Sequence, residues 1–187
     1  MGDNITRCAW GQIEINQQYH DTEWGRPEHD NRRLFEALTL EIMQAGLSWQ
    51  TIMKKRDNFR NAFANWDYAT VANYDEKQVE LLLRDAGIIR HRKKIEATIA
   101  NAQAIVNLAP MTFDEYVWQY TDGRTLMNHW ADEHQVPSTT VLAQTMSKQF
   151  KADGFQFVGP KTMYAFMQAV GMVNDHIETC DFKYIGE

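Results

Sequence analysis

Helix-forming patterns recur along almost the whole chain, whereas the alternation of apolar and polar residues that marks a half-buried strand is nearly absent. The segment 30–46 shows the helical pattern clearly, because Asp30 precedes its first turn as an N-cap and Gly46 follows its last turn. Thr112 and Glu115 form the pattern of a capping box at the start of another helix. These signals predict an all-α fold.

Five further segments carry helical patterns, most of them with capping residues or helix-ending glycines at their ends. They span residues 48–66, 75–87, 91–109, 138–154 and 160–171. The stretch 121–137 is polar and contains Pro137, so we interpret it as a long connection. The run FQFV, residues 155–158, is the one short strand-like segment in the sequence.

The composition is typical of a globular protein and excludes a disordered or membrane-spanning one. Of the 187 residues, 44% are hydrophobic and 12% are aromatic, and no apolar run approaches the ~20 residues that a membrane helix needs. The N-terminus has no signal-peptide pattern. Two cysteines in a reducing compartment are more typical of ligands or buried thiols than of a disulfide. We therefore expect one domain, residues 1–187, in a monomeric cytoplasmic protein.

The distribution of charge is more informative than its sum. A net charge of −6 argues weakly against a nucleic-acid partner. Basic residues nevertheless gather at 53–60 and 88–95, and acidic residues gather at 75–85 and 175–187. A basic face on an acidic chain is compatible with DNA binding.

The two cysteines lie near opposite ends of the chain, and each has a histidine in the same region. His176 and Cys180 are four residues apart, a spacing that places both side chains on one face of a helix. Cys8 and His20 can supply two further ligands, and two cysteines with two histidines are typical of a closed, structural zinc site. The alternative is a pair of buried cysteines with surface histidines, and spacing alone does not decide between them.

Glu41 is a carboxylate on the apolar side of its predicted helix. On a helical wheel it falls ~20° from Leu34, within the stripe that Leu38 and Ile42 continue, whereas Glu36 points to the opposite face. A buried, unpaired carboxylate is costly and tends to take up a proton. Either Glu41 pairs with an arginine or caps a neighbouring helix, or it lines a pocket for a cationic or amino-bearing ligand.

Three aromatic residues, Tyr19, Trp24 and Trp49, lie close to Glu41 or its helix in the sequence. Each taken singly is expected to be a core residue. Flat aromatic faces combined with one anion suit a flat, positively charged ring, which they bind by stacking and cation–π attraction. The group therefore predicts a pocket for such a ring if the four residues converge.

A possible helix–hairpin–helix element occupies residues 139–171, with Gly154 and Gly159 at the ends of the short loop between its helices. Pro160 opens the second helix, and Lys161 adds a positive charge at a helix N-terminus, which suits a phosphate. The pattern is also compatible with a simple corner between two helices. With both helices intact it predicts a grip on the DNA backbone that does not read sequence.

These features together resemble one family over nearly the whole chain, the bacterial 3-methyladenine DNA glycosylase I family of helix–hairpin–helix glycosylases. The stretches that carry the resemblance are RCAW, YHDTEWGRPEHD, LFEALTLEIMQAGLSW, DAGIIRHRKKI, GFQFVG, YAFMQAVGMVNDH and the late Cys180. The segment between Cys8 and His20 and the stretch 121–137 depart from the family pattern, so DNA contacts of 121–137 are not assigned.

The resemblance implies two helical lobes with a pocket between them, with both chain termini in one lobe. It implies one structural Zn²⁺ ion on Cys8, His20, His176 and Cys180. The purine-recognising carboxylate of the family falls on Glu41, which we take as the catalytic residue, and the base-binding aromatics fall on Tyr19, Trp24 and Trp49. Leu47 resembles the residue that plugs the gap in the duplex, and Gly159 and Lys161 are expected to contact DNA.

The implied activity is base excision repair of alkylated double-stranded DNA, by hydrolysis of the N-glycosidic bond of N3-methyladenine. Free 3-methyladenine would be the product ligand, and we expect base release without strand cleavage. We interpret Asp175 as a residue that supports the metal ligands, and a catalytic role is the lesser alternative. Two other functions remain open from the residues alone, a DNA-binding module with a structural zinc ion and a zinc hydrolase.

Overall fold

Helices make up most of the chain in the computed structural model, which describes residues 5–185. The prediction of a mainly helical protein is confirmed. The predicted domain, 1–187, includes residues 1–4 and 186–187, which lie outside the described range. The described helices are α1 (Glu14–Thr22), α2 (Asn31–Gln44), α3 (Trp49–Met53), α4 (Arg56–Ala62), α5 (Tyr68–Val71), α6 (Glu76–Arg84), α7 (Arg92–Asn107), α8 (Phe113–Trp118), α9 (Val141–Ala152) and α10 (Pro160–Ala169).

The predicted capping residues begin their helices as expected. Asp30 accepts hydrogen bonds from two backbone N–H groups of α2, and Ser48 accepts one from the backbone of Thr51 in α3. Asp75 caps α6 in the same way, and Thr112 and Glu115 form both halves of a capping box at α8. None of the helices in the described range is long and apolar enough to cross a membrane.

Helix α2 lies at the centre of the core, where it packs against α3, α7, α8 and α10. Leu34, Leu38 and Ile42 on its predicted apolar stripe are fully buried. The opposite face is buried as well, because neighbouring helices cover it, and Glu36 is only 4% exposed there. This helix therefore places one carboxylate on each of two buried faces.

The predicted helix over residues 48–66 is wrong at its C-terminal end. The helical pattern does not continue to residue 66, because Ala64, Asn65 and Trp66 all adopt positive φ angles after α4 ends. The strand-like run 155–158 lies in the short loop predicted between Gly154 and Gly159, and no strand forms there. This loop joins α9 and α10, and the hydrophobic side chains of Phe155 and Val158 are buried there by packing rather than by sheet formation.

The segment 121–137 is irregular, as predicted, but a short sheet joins it to the C-terminal part of the chain. Strand β1 (Leu126–Met127) pairs in parallel with β2 (Val173–Asn174), and a single bridge continues the pairing between Trp130 and Ile177. Two-residue strands carry too little alternation to be visible in sequence. This pairing holds 121–137 beside the residues that follow α10.

The two ends of the described chain lie side by side. The backbone N–H of Thr6 donates to the Asp181 carboxylate at 2.8 Å, and the Asp181 N–H donates to the Thr6 carbonyl at 3.0 Å. Cys8 and Cys180 are both buried next to this contact. The fold thus brings the two cysteine-containing segments together.

Gly171 follows α10 in a position that requires glycine for two reasons. Its φ is +72°, and a Cβ atom there would overlap the backbone carbonyl of Arg26. Gly46 has a similar φ of +79°, but within the described range, apart from its two chain neighbours, no heavy atom lies within 4 Å of the position that a Cβ atom would take. A larger residue at position 46 therefore meets conformational strain alone, whereas one at position 171 meets both strain and steric overlap.

We predict that Gly171→Ala destabilises the protein more than Gly46→Ala does. The strain common to both substitutions costs about 1 kcal/mol, and the overlap with the Arg26 backbone adds about 1–3 kcal/mol at residue 171. Urea unfolding of both variants measures the difference. Equal losses of stability in the two variants would contradict this close approach.

Candidate functional site

The four residues predicted to bind a base, Tyr19, Trp24, Glu41 and Trp49, line one cavity of about 450 Å³. Tyr19 lies on α1 and Glu41 on α2, while Trp24 follows α1 and Trp49 begins α3. The four side chains therefore converge on one cavity, although Tyr19 is also buried and Trp49 packs against the hydrophobic core. The cavity is large enough to bury a single heterocyclic base.

Glu41 is 7% exposed, and burial raises its pKa from the ordinary value of 4.5 to about 8. Among the described residues, no lysine, arginine or histidine lies within salt-bridge distance of its carboxylate. By contrast, Glu36 on the same helix accepts a hydrogen bond from the Arg56 guanidinium at 2.8 Å. The alternative in which an arginine neutralises Glu41 is thus excluded within the described chain, and that arginine neutralises Glu36.

The aromatic rings pack against one another around the cavity. The ring centroids of Tyr19 and Trp49 are 5.0 Å apart. The Arg56 guanidinium lies over the Tyr19 ring, 5.8 Å from its centroid. Burial, with a further contribution from the nearby charge of Glu41, raises the pKa of Tyr19 well above its usual value. Tyr19 is therefore a neutral phenol at physiological pH.

Trp10 is an aromatic residue of the cavity that the sequence interpretation did not assign. Its ring centroid is 5.0 Å from that of Trp24 and 6.2 Å from that of Tyr19. Its position two residues after Cys8 could have identified it, because this part of the chain contains both a predicted metal ligand and residues that line the cavity.

The irregular segment 121–137 also contributes to the cavity, through Glu133, Val136 and Pro137. Its departure from the family pattern left its role unassigned. The β1–β2 pairing explains how an irregular segment is held at this place.

Asp175 is almost fully buried and lines the same cavity. One of its carboxylate oxygens accepts hydrogen bonds from Asn128 and Trp130, and the other accepts from Tyr164 and Gln168, at 2.6–2.7 Å. None of these four donors is a predicted metal ligand. The interpretation of Asp175 as a support for those ligands is therefore wrong, and its contacts hold 121–137 against α10.

Cys8, His20, His176 and Cys180 form one buried cluster whose potential ligand atoms all lie within 4.8 Å of one another. The Cys180 Sγ atom is 3.4 Å from Nδ1 of His176 and 3.7 Å from Nε2 of His20, and Cys8 Sγ is 3.7 Å from Nδ1 of His176. Tetrahedral zinc bound to sulfur and nitrogen separates these ligands by roughly 3.5 Å. The geometry and the donor set therefore fit a metal ion.

Each histidine of this cluster has its second ring nitrogen held by another group. His20 Nδ1 lies 2.8 Å from the Asp21 carboxylate, which Arg7 also binds through two nitrogen atoms. His176 Nε2 lies 3.2 Å from the carbonyl oxygen of Trp24. Partners of this kind orient metal-binding imidazoles in other proteins, and here Asp21, not Asp175, contacts a histidine of the cluster.

The cluster of two cysteines and two histidines borders the cavity on one side. Trp24 packs edge-on against the His176 ring at a centroid distance of 4.7 Å and also lines the cavity. Cys8 likewise belongs to both. The cluster therefore positions one side of the cavity.

The residues predicted to contact DNA lie outside the cavity: Leu47, Gly159 and Lys161. Leu47 is 41% exposed in the loop between α2 and α3. Gly159 is the N-cap residue of α10, and Lys161 is exposed in the first turn of that helix. All three positions are therefore accessible to a macromolecule.

The raised pKa of Glu41 predicts a pH dependence of stability. Between pH 4.5 and 8 the folded protein retains a proton that the unfolded chain has lost, so stability falls as pH rises through this range. Relative to Glu41→Gln, the wild type should lose up to roughly 4 kcal/mol across it.

Urea unfolding of both proteins at several pH values in this range measures the effect. A stability difference that stays constant with pH would show that Glu41 titrates normally in the folded state.

Comparisons with known proteins agree with this arrangement. The methyladenine glycosylase family matches residues 10–184. The DNA-3-methyladenine glycosylase 1 of Escherichia coli is 44% identical over 94% of this chain and 96% of its own length, and the DNA-3-methyladenine glycosylase of Haemophilus influenzae is 40% identical over 95% and 98%.

Solved structures are similar over the same range. A Staphylococcus aureus 3-methyladenine DNA glycosylase I, studied for its recognition of 3-methyladenine, has a TM-score of 0.91 at 32% identity and covers 97% of this chain and 98% of its own. A sequence match and a structural match of this extent leave one assignment. The chain belongs to the methyladenine glycosylase family.

Proposed function

We propose that this protein removes N3-methyladenine from alkylated double-stranded DNA by hydrolysing its N-glycosidic bond. The observation that supports this most strongly is the electrostatic character of the cavity. Its described lining includes three acidic side chains, Glu41, Glu133 and Asp175, and contains no lysine, arginine or histidine. A cavity of aromatic faces and carboxylates favours a flat cation, and N3-methylation makes the base of the nucleotide cationic.

Glu41 is the residue that selects the charged base in this proposal. Its carboxyl group is protonated in the empty cavity at neutral pH because burial is not offset by a nearby cation. A cationic base supplies that missing charge, lowers the pKa of Glu41 and converts it into a carboxylate that accepts hydrogen bonds from the base. A neutral, undamaged adenine does not provide this compensation.

Tyr19, Trp24 and Trp49 complete the binding of the base by stacking and by excluding water. Two residues of the cavity, Asn16 and Trp49, each hold a buried polar atom without a hydrogen-bond partner in the described chain, Oδ1 and Nε1 respectively. These atoms can pair with the polar edge of a bound base.

The base must leave the duplex stack before it can enter the cavity, and a damaged base is extruded at lower cost than a normal one. In the proposal Leu47 fills the gap that the extruded nucleotide leaves. Gly159 and Lys161 hold the DNA backbone at the start of α10, where a helix N-terminus favours a phosphate. The two-lobed arrangement and the monomeric state remain predictions.

Water adds to the sugar carbon as the N-glycosidic bond breaks. The electron pair of that bond leaves with the cationic base, which departs as neutral 3-methyladenine, and the added water loses a proton to solvent, so that an abasic site remains. No lysine of the described chain lines the cavity, and a Schiff-base reaction needs such an amine. We therefore propose base release without strand cleavage, in a cytoplasmic enzyme of base excision repair.

We also propose that Cys8, His20, His176 and Cys180 bind one Zn²⁺ ion with a structural role. Four protein ligands close a tetrahedral site and leave no position for a reactive water. The bound ion would hold the N-terminal segment against the C-terminal one.

We predict that Glu41→Gln and Glu41→Ala slow the release of 3-methyladenine from methylated duplex DNA. Loss of a hydrogen bond to a charged group costs about 1.5–3 kcal/mol, which corresponds to roughly a 10- to 100-fold loss. Single-turnover assays measure the release, and tryptophan fluorescence measures the affinity for free 3-methyladenine.

Glu36→Gln is the matched control, because it removes a buried carboxylate from the same helix that Arg56 neutralises. It should lower stability but preserve the rate per folded molecule. Folded Glu41 variants that release the base at the wild-type rate would contradict the proposal, and duplex binding by a wild type that releases no base would favour a DNA-binding module.

Removal of the metal provides a separate prediction. Treatment with a chelator should lower the melting temperature, because the ion links distant segments, while the protein that remains folded should release the base at an unchanged rate. Metal content, circular dichroism and activity are measured on the same sample. Loss of activity in folded, metal-free protein would favour the zinc hydrolase.

A further inference from the structure

Phe157 combines two unfavourable features at the tip of the loop between α9 and α10. Its φ is +57°, in the left-handed region that favours glycine, and its side chain is 41% exposed. A left-handed conformation costs an L-residue such as phenylalanine about 1–2 kcal/mol. Because the ring is exposed, its burial contributes little free energy to offset that strain.

Buried side chains fix the backbone on both sides of Phe157. Asn101 on α7 accepts a hydrogen bond from the Gln156 N–H at 2.7 Å and donates one to the Gln156 carbonyl at 3.2 Å. Ser147 on α9 donates to the Val158 carbonyl at 2.6 Å. Both Asn101 and Ser147 are at most 2% exposed. The left-handed conformation of residue 157 is therefore imposed by the surrounding structure.

The neighbouring hydrophobic residues of the loop show what packing within the chain looks like. Phe155 is 3% exposed and lies in a cluster of aromatic rings with Phe150 and Tyr116, and Val158 is fully buried. The Phe157 ring has no such partner ring among the described residues. A glycine at this position would satisfy the backbone without strain, so packing within the described chain does not account for the ring.

We propose that the Phe157 ring packs against the deoxyribose of a DNA strand beside the phosphate held at the start of α10. This inference depends on the proposed DNA-binding role of Gly159 and Lys161. Phosphate and sugar alternate along a strand, so an apolar group two residues before a phosphate-binding helix start meets an apolar sugar face. Such a contact does not depend on base sequence.

The apolar nature of this contact distinguishes it from the contact of Lys161. Neutralising one phosphate contributes about −0.9 to the slope of log K against log salt concentration. Loss of an apolar contact weakens binding equally at every salt concentration. Salt dependence therefore separates the two kinds of contact on neighbouring residues.

The test measures binding of a fluorescent, undamaged duplex by Phe157→Gly and Phe157→Asn across a salt series. Both replacements remove the ring, and both residues adopt the left-handed region readily. We expect about tenfold weaker binding at every salt concentration with an unchanged slope. Phe157→Tyr should retain wild-type binding, and Lys161→Met should reduce the steepness of the slope by about 0.9.

The unfolding of the same variants by urea decides whether the ring stabilises the chain itself. We expect Phe157→Gly to unfold at the same or a higher urea concentration than the wild type, because strain is relieved. Unchanged duplex binding, or a lower unfolding midpoint together with a changed salt slope, would overturn the proposal.

Binding of free 3-methyladenine separates this inference from the proposed function. Phe157→Gly should bind the free base as the wild type does, since residue 157 does not line the cavity. If the wild type releases no base but Phe157→Gly weakens duplex binding, the proposed reaction fails and the DNA contact stands. If base release is normal and duplex binding is unaffected by the substitution, the DNA contact fails alone.

Discussion

The convergence of both chain ends on four buried side chains sets the arrangement of the site. Cys8 and His20 come from the N-terminal part of the chain, and His176 and Cys180 come from the C-terminal part. The same N-terminal part carries three aromatic residues that line the cavity: Trp10, Tyr19 and Trp24. A contact that holds the two ends together therefore also holds one side of the cavity against α2.

The cavity uses its carboxylates in different ways because their surroundings differ. Asp175 accepts four hydrogen bonds, and so its charge is satisfied by the protein. Glu41 is buried without a neighbouring cation, and this burial raises its pKa. In the proposal, a bound cationic base supplies the compensating charge. Glu36, one and a half turns earlier on the same helix, shows the ordinary solution, a salt bridge with Arg56. This difference between the carboxylates is the reason that Glu41 is proposed as the residue that selects a cationic base.

Local features of the fold were predictable from local residues. Caps such as Asp30 and Thr112 act over two or three residues, so sequence alone locates them. The helical wheel likewise placed Glu41 among apolar neighbours. It could not show that Glu36 is buried too, since this depends on which helices cover the opposite face. The left-handed turn at Ala64–Trp66 was missed for a different reason: no glycine marks it in the sequence.

The sequence by itself determined the helical class, most helix starts, the four potential metal ligands and the unusual position of Glu41. The helical class, the helix starts and the position of Glu41 follow from residue type and periodicity over short distances. The four potential ligands were identified by residue type and by the family resemblance, because spacing alone left buried cysteines as an alternative. Only the tertiary structure decided that Arg56 pairs with Glu36 and not with Glu41, that Asp21 supports His20, and that 121–137 borders the cavity. These contacts join residues far apart in the chain, and packing of the whole fold determines which distant groups meet.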